Sequence, residues 1–116
     1  MSTREFDAAF LNFMAEAQRV VNAGVEKIHR QFDLQFGPSE HDDPPPKLEA
    51  EECKKQNYIR IVAVRPDGRS AFGWVDKANG DVLKSAGWKR PAKNFARGNI
   101  FDDKRGCGRV RWTGVF

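Results

Sequence analysis

Residues 58–85 read YIRIVAVRPDGRSAFGWVDKANGDVLKS, and this stretch decides the fold. Tyr58-Ile59-Arg60-Ile61-Val62-Ala63-Val64 is dense in β-branched residues, which fit a pleated, half-buried strand. Arg65-Pro66-Asp67-Gly68-Arg69 follows. Proline presets the backbone for the first corner of a tight turn, and glycine tolerates the positive φ that closes one. Ala71-Phe72-Gly73-Trp74-Val75 is a second strand, and Asn79-Gly80 is a strong hairpin signal leading to a third at 81–85. Three strands joined by two short turns make an antiparallel meander. Phe72 and Trp74 lie two apart, so regular alternation predicts that they share one face of the sheet.

Upstream, Ser2-Thr3-Arg4-Glu5 has the form of a capping box. Phe6, Phe10, Phe13, Ala17, Val20, Val21, Val25, Ile28 and Phe32 then recur in steps of three and four, the period of one helix face. The pattern predicts an amphipathic helix from about residue 3 to about residue 33, roughly 45 Å long. That is longer than a small sheet needs. Part of the apolar stripe therefore has to meet something else, and the expectation is a second copy, giving a homodimer through Phe6, Phe10, Phe13, Ala17 and Val21. The alternative is that the helix folds back onto its own sheet.

Residues 37–56 read as an acidic, Pro-rich linker. Asp42-Asp43-Pro44-Pro45-Pro46 is incompatible with helix or central strand, and residues 48–52 suit a short helical turn or no structure. After Trp88 the pattern weakens: Pro91 fits the start of a helical turn, and residues 108–112 a short fourth strand. The expected fold class is α+β. A helix at 1–36 and a linker at 37–56 precede a basic domain at 57–116, built on a three- or four-stranded antiparallel meander.

Charge is distributed unevenly along the chain. Residues 1–53 hold five Lys/Arg against eleven Asp/Glu, a balance of −6, whereas residues 54–116 hold fifteen against five, a balance of +10. A segment so basic points to a polyanion, to an acidic protein surface, or to the chain's own acidic half. The cations are interleaved with rings. Lys84, Trp88, Lys89, Arg90, Lys93, Arg97, Arg109, Arg111 and Trp112 form the densest part. Single-stranded nucleic acid asks for this pairing, since cations track its phosphates and flat side chains stack on its unpaired bases.

Other chemistries find less in the sequence. Cys53 and Cys107 lack the paired spacing of a zinc site, and with His29 and His41 they make a ligand set only by long-range coincidence. Free thiols in a reducing cytosol are the simpler expectation. No cofactor and no catalytic residue is expected. Asp76 and Asp81 flank a turn, where Asx side chains serve the turn itself, although a metal-dependent hydrolase would also use such a pair. No apolar run is long enough for a membrane span, and the acidic, amphipathic N-terminus is not a targeting signal.

Gly80-Asp81-Val82, Lys84, Trp88-Lys89, Pro91-Ala92-Lys93 and Arg97-Gly98-Asn99-Ile100-Phe101, with the strand and hairpin from Tyr58, resemble a segment of small uncharacterised proteins encoded by bacteriophages. The resemblance covers about residues 58–101. It implies a setting, a phage accessory protein in the cytoplasm of the bacterial host, and brings no activity or functional residue with it. The expected function is non-enzymatic binding of nucleic acid, single-stranded in preference to duplex. The competing expectation is an inhibitor that docks the same basic, aromatic face on a host or rival protein.

Overall fold

A computed structural model of the chain describes residues 3–37, 45–53 and 57–116. Ser2 of the capping box and most of the Pro-rich linker, 38–44 and 54–56, lie outside the described residues. The fold is α+β: one N-terminal helix, a five-stranded antiparallel sheet and a small two-stranded sheet.

Helix α1 runs Thr3–Phe36. It ends at Gly37, which sits at φ 88° and donates its N–H to the Asp33 carbonyl at 2.8 Å, a left-handed cap that glycine adopts without a Cβ penalty. At 34 residues the helix is about 51 Å long, and the longest dimension of the whole molecule is 52 Å. The sheet covers only the first part of it. Phe13, Ala17 and Val21 are fully buried, and Phe6 and Phe10 nearly so, in one cluster with Ile59, Ile61, Val75 and Val82 of the sheet. This corrects the expectation of a dimer through Phe6, Phe10, Phe13, Ala17 and Val21. Those side chains are already spent on the chain's own core. Apart from Leu11, the exposed large apolar residues of α1 lie beyond it, at Ile28, Phe32, Leu34 and Phe36.

The sheet has the order β1-β2-β3-β4-β5, a continuous meander. Its strands are β1 (Lys47–Cys53), β2 (Tyr58–Arg65), β3 (Gly68–Asp76), β4 (Asp81–Leu83) and β5 (Gly98–Asn99). The three expected strands are present, joined by the Pro66-Asp67 and Asn79-Gly80 turns. β1 lies within the stretch expected to be linker. Residues 47–53 pair in full register with β2 because Leu48 alternates with charged neighbours and buries itself under α1. An edge strand needs cover on one face only, so a single large apolar residue suffices. Segment 91–97 is not helical. It runs along the free side of β4, with a Ser85–Pro91 bridge and with Ala92 and Arg97 donating their N–H groups to the Lys84 and Val82 carbonyls.

Alternation along β2 sorts the two faces. Ile59, Ile61 and Ala63 look toward α1, and Tyr58, Arg60, Val62 and Val64 look away. A register shift at Ile61/Val62 leaves Phe72 without a partner on β2. The bulge turns Phe72 into the helix-side core, whereas Trp74 is buried outside that cluster, cross-strand from Arg60 and Leu83. Phe72 and Trp74 therefore do not share a face.

The C-terminal segment closes the helix side. Strands β6 (Val110–Arg111) and β7 (Gly114–Val115) pair, and Val110 and Val115 enter the core. Val115 sits so close to Gly73 that a Cβ there would lie 2.5 Å from it. The turn before this hairpin is organised by Asp102. Its carboxylate accepts the N–H groups of Asn99 (3.1 Å), Lys104 (2.9 Å) and Gly106 (2.8 Å). Burial alone would raise the Asp102 pKa, but these three donors outweigh it and hold the carboxyl below its usual value. Cys53 and Cys107 are both free thiols. Burial, with Glu16 and Asp102 nearby, pushes the Cys107 thiol up to about 12, so it is inert at neutral pH.

Two outcomes follow from this packing. Phe13→Ala is expected to cost about 3–5 kcal/mol in urea unfolding, while Leu34→Ala, on the exposed overhang, leaves the midpoint within experimental error. Asp102→Asn is expected to lower stability by about 1–3 kcal/mol at neutral pH by weakening three hydrogen bonds. Because the native pKa is depressed, that difference should persist down to the ordinary carboxyl value, about pH 4. It should then vanish as pH falls through the lower native value and the wild-type carboxyl is protonated. Urea melts of both proteins from pH 7 down into the acid range follow that difference.

Candidate nucleic-acid interface

Among the described residues, no helix covers the face of the sheet turned away from α1. What covers it is the loop after β4. Ser85 holds the loop's start, accepting the Trp74 indole N–H (3.3 Å) and donating its hydroxyl to the Gly87 carbonyl (2.6 Å). The next residue, Trp88, lies over Arg60. The guanidinium is 4.1 Å from the Trp88 ring centroid and 5.7 Å from that of the buried Trp74. It also donates to the Trp88 carbonyl at 2.9 Å. Arg60 is thus layered between one buried and one exposed indole, and Trp88 keeps 39% of its surface open.

A second arginine joins from β3. Arg69 lies 5.9 Å from the Trp88 ring, and its guanidinium meets Glu51 of β1 at 3.0 Å. Arg60 meets the same carboxylate at 3.2 Å. The hydrogen bond from Arg69, with that from Arg60 behind it, holds the Glu51 carboxyl below its usual value. Farther along, Lys93 places its ammonium 5.4 Å above the Tyr58 ring, and Tyr58 meets Trp74 edge-on. Lys89 and Arg90 are exposed on the same loop. The outer face therefore gathers Trp88, Lys89, Arg90 and Lys93 with Tyr58, Arg60 and Arg69.

The other residues of the predicted site fall elsewhere. Lys84, Arg97 and Arg109 surround two rings at the β4–β5 edge. Arg97 stacks 3.8 Å from Phe95, Arg109 lies 5.6 Å from it, and Lys84 is 5.7 Å from Phe116. Arg97 and Arg109 also donate to the Phe116 main-chain oxygen. This edge cluster adjoins the outer face through segment 91–97. Trp112 does not. It packs on the opposite side of the sheet, its Cβ against Gly24 of α1, where a Cβ on Gly24 would lie 2.5 Å away. Arg111 is exposed beside it and donates to the Val110 carbonyl at 3.0 Å. Trp88 and Trp112 are both partly exposed, but they do not share a surface.

Sequence reasoning passed over Tyr58, Arg60 and Arg69, because they belong to strands read for their apolar partners. The signal was present in the alternation. If Ile59 and Ile61 face a core, Tyr58 and Arg60 face the other way, and the 58–76 hairpin sets Trp74 opposite Arg60. Among the described residues, no Asp or Glu side chain lies within ion-pair distance of Lys84, Arg90, Lys93, Arg97, Arg109 or Arg111. Glu51 neutralises Arg60 and Arg69, while Glu16 and Glu26 pair with Arg19 and Arg30 of α1.

Glu51 is a placeholder on this surface. An anion that approaches Trp88 has to compete with it for two guanidinium groups. Glu51→Gln should leave stability within about 1 kcal/mol, since the Glu51 side chain is 34% exposed and Arg60 keeps its bond to the Trp88 carbonyl. It should tighten binding of any polyanion to this face by a few-fold. Titration of heparin or of an oligonucleotide against both proteins at one ionic strength measures the change.

The chain belongs to a family of unknown function, DUF7717, whose model matches residues 7–116. The match takes in helix α1 and β1 as well as the meander, so the unit the family shares is the whole core. No curated protein and no solved structure matches the chain.

Proposed function

We propose that this protein binds single-stranded nucleic acid, without catalysing a reaction, on the outer face of its sheet. The observation that carries this reading is the exposed Trp88 ring seated on Arg60, with Arg69 beside it and Lys89, Arg90 and Lys93 exposed on the loop that follows. An indole fixed from beneath presents one flat face to a base at little entropic cost, and the cations around it lie where a strand's phosphates pass. Lys84, Arg97 and Arg109 extend the track along the β4–β5 edge. Duplex binds less well, because its stacked bases offer Trp88 nothing. Trp112 and Arg111 have no part in this path.

The setting we infer is a phage-encoded accessory protein in the cytoplasm of its host. That inference rests on the resemblance of residues 58–101. Dimer formation, where it occurs, uses the overhanging part of α1, residues 25–36, in place of the buried Phe6–Val21 stripe. A second reading has one specific observation in its favour. An exposed tryptophan backed by two arginines is also the composition of a protein–protein hot spot, and on that reading the face docks on an acidic protein surface as an inhibitor.

A salt series with a labelled oligothymidylate tests the first reading. Each phosphate contact releases counterions, so with three or four contacts log Kd should rise with log salt at a slope of about 2–3. Trp88→Ala should weaken binding by the value of one stacked base, about 1–3 kcal/mol, and Trp112→Ala should leave it unchanged. A flat salt response, or equal effects of the two substitutions, overturns the assignment. A partner captured from host lysate that withstands nuclease and is lost with Trp88→Ala supports the inhibitor instead.

A further inference from the structure

Segment 91–97 follows β4 with an excursion in the middle. The Ala92 N–H bonds the Lys84 carbonyl and the Arg97 N–H bonds the Val82 carbonyl, so five steps along the segment match two along β4. The surplus is thrown outward as Lys93, Asn94, Phe95 and Ala96, all of them exposed. Phe95 keeps 50% of its surface open and takes no part in the core cluster. An exposed apolar side chain alone calls for no explanation. This one is held in place.

The Arg97 guanidinium stacks 3.8 Å from the Phe95 ring centroid. It also donates from Nε to the Phe95 carbonyl at 3.4 Å, from Nη2 to Asn94 Oδ1 at 3.1 Å, and from Nη1 to the Phe116 main-chain oxygen. Asn94 Oδ1 accepts the Phe95 N–H as well, at 3.1 Å. Arg109, 5.6 Å from the ring, donates to the same Phe116 oxygen. The arrangement repeats the one at Trp88. There too an exposed ring lies on a guanidinium that donates to the carbonyl of the ring's own residue, with a second arginine 5.9 Å away. The two differ in charge. Glu51 neutralises Arg60 and Arg69, whereas among the described residues no Asp or Glu side chain pairs with Arg97 or Arg109. A phosphate arriving at Phe95 has no side-chain carboxylate to displace.

We propose that Phe95 is a second base-stacking platform, so that one single strand crosses the molecule from Trp88 to Phe95 with a base on each ring and its phosphates along Lys93, Arg97 and Arg109. The platform presupposes the strand-binding face around Trp88 and adds a second fixed point to it. Stacking needs a flat apolar side chain that does not move, and Arg97 supplies both the restraint and a neighbouring positive charge. Seven residues separate the two rings along the chain, which limits the distance between their backbones to about 25 Å. That reach lies within the site size of about 4–16 nucleotides typical of grooves that combine cations with rings.

The probes are a fluorescein-labelled oligothymidylate of about 15 nucleotides and an abasic strand of the same length, which keeps the phosphates and removes the bases. Both are followed by anisotropy against the full chain. Phe95→Leu keeps apolar cover over Arg97 and loses the flat ring. It should weaken oligothymidylate about five-fold or more, as loss of one stacked base does, with an unchanged thermal midpoint and unchanged affinity for the abasic strand. Phe95→Trp should match or exceed the unaltered affinity, and oligothymidylate should quench its tryptophan emission more deeply than that of the unaltered chain. If Trp88→Ala weakens binding and Phe95→Leu does not, stacking is confined to one ring; this inference is overturned and the reading at Trp88 survives. Equal losses for both strands with Phe95→Leu make Phe95 a prop for Arg97 and overturn it as well. No binding of oligothymidylate by the unaltered chain removes both.

Discussion

Everything in this molecule follows from the need to cover two faces of a sheet with one helix. The β2–β3 hairpin buries Ile59, Ile61 and Val75 on one side and Val62 and Trp74 on the other. Helix α1 covers only the first side. The second is closed by a loop without regular structure, and that loop is held by Arg60. Its guanidinium lies between Trp74 and Trp88 and is tied to the Trp88 carbonyl and to Glu51. A cation–π contact of this kind is worth about 0.5–2 kcal/mol, and the partly exposed hydrogen bonds add about 1 kcal/mol. An aliphatic residue at position 60 would pack on Trp74 but would give the loop nothing to bind. The arginine makes a half-buried cover that is polar at its rim, so the same contacts that complete the core also build the exposed ring.

The elements legible in the sequence were those fixed by local chemistry. Pro66-Asp67-Gly68 and Asn79-Gly80 dictate turns, and the runs between them dictate strands. The stripe from Phe6 to Phe32 dictates a helix, and its length announced an overhang. What the sequence concealed depends on partners distant in the chain. β1 looks like linker because three prolines precede it and four of its seven residues are charged. Only the hydrogen bonds of Gln18 to Leu48 and Pro46 and the cover over Leu48 make it a strand. The bulge opposite Ile61/Val62 is likewise invisible locally, yet it decides that Phe72 joins the helix side and Trp74 does not.

The candidate site was legible in composition and misread in assembly. Nine residues were grouped by their nearness along the chain, and the fold divides them by a sheet. Trp88 goes to the outer face because the loop after β4 must cover Trp74. Trp112 goes to the helix because Gly24 leaves room for its Cβ. The residues that link the first group, Arg60 and Arg69, sit on strands and were counted as scaffold. Sequence proximity is a poor guide on a meander, where a turn of two residues can send neighbours to opposite faces.

Charge is separated across the sheet as well as along the chain. The β1 edge carries Glu49 and Glu52 beside Glu51, which Arg60 and Arg69 neutralise, and the β4–β5 side carries Lys84, Lys93 and Arg97, so the sheet has an acidic edge and a basic one. A fold with opposite edges of this kind risks adding copies head to tail, since a heterologous contact that does not close grows without limit. Two features oppose that. β5 stops after two residues, where the Asp102 turn takes the chain away, and the basic side is lined by side chains rather than by an open backbone ladder. The acidic edge keeps its ladder and the basic edge does not.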